Sequence, residues 1–76
     1  MSALSDKALA LSVQYLGPAA QIFLERQTKH HLDGLTLDAL EPRHLPELAK
    51  WVNISAALLI DPAQAKELSQ KISTLG

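Results

Sequence analysis

The 76-residue sequence contains no cysteine, so a disulfide framework and thiolate metal sites are both excluded. Aromatic residues are nearly absent: one Phe, one Trp and one Tyr. Any core must therefore be aliphatic. No apolar run reaches the roughly 18 residues of a membrane span, and no segment is dominated by charge of one sign. Seven basic and eight acidic residues give a net charge of −1 and are interspersed along the chain. The clustered basic patch of a nucleic-acid binder is missing. The opening Met1-Ser2-Ala3-Leu4-Ser5-Asp6 lacks the basic-then-apolar order of a secretory signal, so the expected compartment is cytoplasmic.

What is present is enough apolar residue, 47 % of the chain, to fold one small domain spanning 1–76. Gly and Pro punctuate it into four helical segments. The expected fold is all-α, a compact four-helix bundle with helices over about 3–16, 18–32, 46–60 and 62–74 and a short helical turn near 36–40. In the first, Leu4, Ala8, Leu11 and Tyr15 recur at helical spacing, with Leu9, Val13 and Leu16 as a second stripe. Gly17 stops it in a left-handed C′ conformation. Pro18 opens the next helix, where its missing N–H costs nothing.

The second segment lines one face with Ala19, Ala20, Phe23 and Leu24. Asp33-Gly34 ends it. Glu41-Pro42 and Arg43-His44-Leu45 read as a tight connector. The third segment is apolar around most of its circumference: Leu48, Trp51, Val52, Leu58 and Leu59 form a central stripe, widened by Ile54 and Ala56. It is expected at the centre of the bundle. The fourth opens on Asp61-Pro62-Ala63-Gln64, an N-cap with proline at the first position and a glutamine placed to close a capping box. Its stripe is narrow: Ala65, Leu68, Ile72.

No constellation for chemistry emerges, so no catalytic, metal or cofactor residue is assigned and the chain is not expected to be an enzyme. His30 and His31 are adjacent and point about 100° apart, whereas paired metal ligands on a helix stand three or four residues apart. Asp33, Asp38 and Glu41 share a connector with no base or apolar pocket beside them. Gln27 is expected as a buried amide satisfied by a backbone carbonyl, and Trp51 as core. Surplus apolar surface is the informative signal. The second stripe of the first helix and the width of the third exceed what a bundle this small can cover, which marks Leu9, Val13, Leu16, Ile54 and Leu58 as a candidate interface with a second copy or another protein. Neither nucleic acid nor membrane is an expected partner, and no cofactor is. A small-ligand-binding accessory protein, with an apolar pocket between helices and Gln27 or His30 as polar contact, is the alternative.

The segment Tyr15-Leu16-Gly17-Pro18-Ala19-Ala20, followed by Ile22-Phe23-Leu24, resembles part of a small helical domain of unknown function appended to bacterial protein kinases and other signalling proteins. The likeness spans about residues 8–27. It implies an accessory module in signalling or regulation, with no catalytic residues to transfer. Acyl carrier proteins share the size and helix count. They carry Asp-Ser-Leu at the start of the second helix, where this chain's nearest match is Asp33-Gly34-Leu35. The serine that would bear the phosphopantetheine is absent, as is their strong acidity, so that resemblance is set aside.

Overall fold

Ser2 opens the first helix by accepting the Ser5 N–H on its hydroxyl at 3.1 Å, which satisfies one of the donors a helix start leaves free. The computed structural model describes residues 2–76. Four α-helices follow one another: α1 (Ala3–Leu16), α2 (Ala20–His31), α3 (Leu45–Ala56) and α4 (Pro62–Ser73). Three short 3₁₀ turns join them, at Gly17–Ala19, Leu37–Ala39 and Pro42–His44. There is no strand among the described residues. The fold is an all-α bundle, 28 × 22 × 21 Å, and its main contacts close a ring: α1 on α2, α2 on α3, α3 on α4, α4 on α1.

The two stripes of α1 straddle a narrower seam. Ser5, Ala8 and Ser12 are fully buried, while Leu4, Leu11 and Tyr15 on one side and Leu9 and Leu16 on the other are half-buried against the core. Small residues at the line of contact bring α1 close to its neighbours, and the larger side chains close over both edges. The sequence suggested that one large stripe would be the buried one.

Gly17 has φ 62° and ψ −141°, with its N–H bonded to the Val13 carbonyl. Its φ is positive as expected, but its ψ lies outside the left-handed helical well. That conformation favours glycine for its backbone alone, since a Cβ there would meet open space. The chain then takes a 3₁₀ turn through Pro18 before α2 begins at Ala20, two residues later than the sequence suggested. At the other end of α2, Asp33 takes φ 55° and Gly34 φ 74°. The Gly34 N–H reaches the Lys29 carbonyl at 3.0 Å, the six-to-one bond of a Schellman ending.

α3 carries much of the core through Leu45, Leu48, Ala49, Val52 and Ala56. It packs most extensively on α4, where Ala65, Leu68 and Ile72 are buried. The Ser69 hydroxyl donates to the Ala49 carbonyl at 2.7 Å across that seam. The helix ends at Ala56, four residues before the expected limit at Ile60. The cause lies downstream. Pro62 disfavours helix at Asp61, which sits at ψ 131° and accepts the Ala63 N–H on Oδ1 at 2.9 Å. To reach that cap the chain tightens: the Leu58 and Leu59 N–H groups bond three residues back, to Ser55 and Ala56. Ile60 turns in against the core and Leu58 and Leu59 turn out. Those two leucines are therefore surface residues. Ile54, on the opposite side of α3 from Leu48 and Val52, is half-exposed rather than a widening of the buried stripe. Gln64 is exposed and makes no reciprocal capping bond among the described residues.

Candidate docking groove between α2 and the α3–α4 turn

Among the described residues, three of the five exposed large apolar side chains meet at one place. Ile22 of α2, 55 % exposed, faces Leu58 and Leu59 of the α3–α4 turn, 85 % and 64 % exposed, across an open groove of about 300 Å³. α2 supplies one wall through Ala19, Ile22 and Phe23; the turn supplies the other. Phe23 is buried and anchors the first wall to the core.

The groove has a polar element as well. Gln27 is buried to within 7 % of its surface, and its Oε1 accepts the Ser55 hydroxyl at 3.0 Å. Its partner is thus a side chain from α3 rather than the backbone carbonyl expected from the sequence. Among the described residues its Nε2 donates no hydrogen bond, although Gln27 lines the groove. Arg26 stands beside it, exposed. The ion pair among the described residues joins Arg43 Nε to Glu41 Oε1 at 2.8 Å, so Arg26 carries an unmatched positive charge.

Of the five interface candidates read from the sequence, Leu58 forms part of this groove. Ile54 lies one turn before it on α3 and is half-exposed. Val13 is exposed on α1 but does not line the groove; Leu9 and Leu16 are half-buried, packed on the core. Ile22 lies outside the α2 face of Ala19, Ala20, Phe23 and Leu24 that the sequence pattern picks out. The sequence pattern puts Leu59 in the central stripe of the third helix, inside the bundle. The signal that would have exposed both leucines is Pro62, whose demand on Asp61 ends α3 early.

A second opening, about 400 Å³, lies between α2 and the segment Gly34–Leu37. Its large apolar side chains, Leu35 and Leu37, are engaged in the core. Among the described residues, no large apolar side chain there is as exposed as Ile22, Leu58 or Leu59 in the groove.

Several other polar side chains are occupied by architecture. His31 stacks on Trp51, ring centroids 3.9 Å apart, and the indole Nε1 donates to Glu47 Oε1 at 3.2 Å. Trp51 is therefore half-buried at the α2–α3 edge rather than a core residue. His30 is exposed. Glu41 N–H donates to His44 Nδ1 at 2.9 Å, closing the turn at Pro42–His44. The Tyr15 hydroxyl donates to Glu67 Oε2 at 2.6 Å, and Lys71 Nζ lies 5.4 Å from the Tyr15 ring centroid. The Tyr15 hydroxyl first, and then the Glu67 carboxylate, hold the Lys71 ammonium above its ordinary pKa. Asp33 holds the α2 ending and Asp38 stands in the first turn of the Leu37–Ala39 segment. No helix among the described residues is long and apolar enough to cross a membrane.

Comparison with family models, curated proteins and solved structures gives no match for this chain.

Proposed function

We propose that this chain is a non-catalytic protein–protein interaction or oligomerisation module whose docking surface is the groove between α2 and the α3–α4 turn. One observation carries the reading: Ile22, Leu58 and Leu59, each more than half exposed, face one another on a surface whose remaining large aliphatic side chains are mostly packed away. A turn that only reverses the chain gains nothing from two protruding leucines. Contiguous apolar surface on a small domain is what partner sites are made of. The balanced charge supports a protein partner over a nucleic acid. The resemblance of Tyr15–Leu24 to part of an accessory domain of bacterial signalling proteins supports a regulatory setting.

The test is site-specific photo-crosslinking in native cells. A photo-reactive residue at Leu58 is expected to yield discrete adducts that disappear when Ile22→Glu is added. The same residue at Lys66, exposed on α4, yields none. No adduct from position 58, or the same adducts from both positions, overturns the reading.

A further inference from the structure

We infer that the occupant of the groove is a second copy of this chain, docked about a two-fold axis so that each copy's Leu58-Leu59 turn enters the other's groove. This rests on the docking reading above and names its partner. A two-fold interface uses one patch on both molecules, so that patch must carry both a projection and a recess that receives it. The groove meets this condition. Its α3–α4 wall is the projection, with Leu58 and Leu59 standing into solvent. Its α2 wall, with Ile22 at the edge and Phe23 beneath, is the receiving surface.

Two polar features match in the same sense. The Gln27 amide leaves its Nε2 donors unused at the groove. The carbonyls of Leu58 and Leu59 accept no hydrogen bond among the described residues, because the turn's backbone bonds end on Ser55 and Ala56. Free donors therefore lie in the recess and free acceptors on the projection. Charge follows the same pattern. Arg26, without an ion-pair partner, is on the α2 wall. Asp61, two residues past Leu59, is exposed and uses Oδ1 for its cap. A two-fold axis sets the α2 wall of one copy against the turn of the other, which brings Arg26 toward Asp61 of the second copy.

The contact is small. Stable interfaces bury about 800 Å² per partner, close to a fifth of this chain's 4433 Å². A contact confined to one groove and one turn would form a reversible dimer rather than a permanent one.

Light scattering across a concentration series should give a mass near 8.3 kDa when dilute, rising toward twice that value when concentrated. Leu58→Glu and, separately, Arg26→Glu are expected to hold the mass at the monomer value with the helical circular dichroism unchanged. The chain has no cysteine, so register can be read by disulfide capture. An oxidised mixture of Ile22→Cys and Leu58→Cys proteins should give the mixed pair in preference to either like pair. A monomer at millimolar concentration, a dimer that survives both Glu variants, or preferential like-with-like capture overturns the second-copy inference. If the wild type stays monomeric while Leu58 still gives Ile22-dependent adducts in cells, only the identity of the occupant falls. If both experiments are negative, the docking reading falls with it.

Discussion

The imidazole of His31 lies flat on the indole of Trp51, their planes 6° apart, and this stack fastens the last turn of α2 to the middle of α3. Aromatic pairs contribute about 0.5–1.5 kcal/mol beyond the area they bury. His31→Ala should therefore lower stability by about 1 kcal/mol in urea unfolding followed by circular dichroism. Against a Trp51→Ala background the same change should cost much less. Equal costs in both backgrounds would show that the stack is not the source.

Ser12 is fully buried in the α1 seam, and its hydroxyl has no hydrogen-bond partner among the described residues. A buried, unsatisfied polar group costs about 1–3 kcal/mol. Ser12→Ala removes the hydroxyl and keeps the small volume, so it should raise the melting temperature. Ser2→Ala should act in the opposite direction, because it removes the α1 cap, which is typically worth about 1 kcal/mol. A Ser12→Ala protein that melts lower than wild type would mean the hydroxyl finds a partner in solution.

The two bends at either end of α2 should respond oppositely to small substitutions. Gly17→Ala meets no steric neighbour but must adopt φ 62° with ψ −141°, so backbone strain alone should cost about 1–3 kcal/mol. Asp33 already bears a positive φ with a side chain. Asp33→Gly relieves that strain and should stabilise by up to about 1 kcal/mol. Thermal melts of the two single variants check both signs together.

Leucines differ sharply by position. Leu48 is wholly buried, and Leu48→Ala should cost about 2–5 kcal/mol. Leu58→Ala should stay within about 0.5 kcal/mol of wild type, as surface changes do. Denaturant midpoints at low protein concentration, where association does not contribute, separate the two. A large loss at Leu58 would place it in the core after all.

The helices were legible where Gly and Pro set their limits. α1 occupies the residues read from Gly17-Pro18, and α4 starts where Asp61-Pro62 places it. The end of α3 was not. Ala57 to Ile60 is as apolar as the helix before it, and periodicity cannot tell a buried helical turn from an apolar loop. Only the geometry imposed by the next helix's cap turns Leu58 and Leu59 outward. The groove inherits that blind spot, because one of its walls is this turn. The α1 seam was hidden for a different reason. Hydrophobicity ranks leucine above serine, whereas the line of closest helix approach is set by size, and Ser5, Ala8 and Ser12 are small. Gln27 was legible as a buried amide, but its Ser55 partner, 28 residues away, was not.

The four seams run from α1 through α2, α3 and α4 and back to α1. Such a circuit has no end unit. In an open stack of helices the outermost member shares one border and can melt alone, so unfolding proceeds in stages. Here the loss of any helix strips two borders at once. Heat should therefore erase the helical signal and the tertiary signal of Trp51 in one coincident transition, with no three-helix remnant on the way.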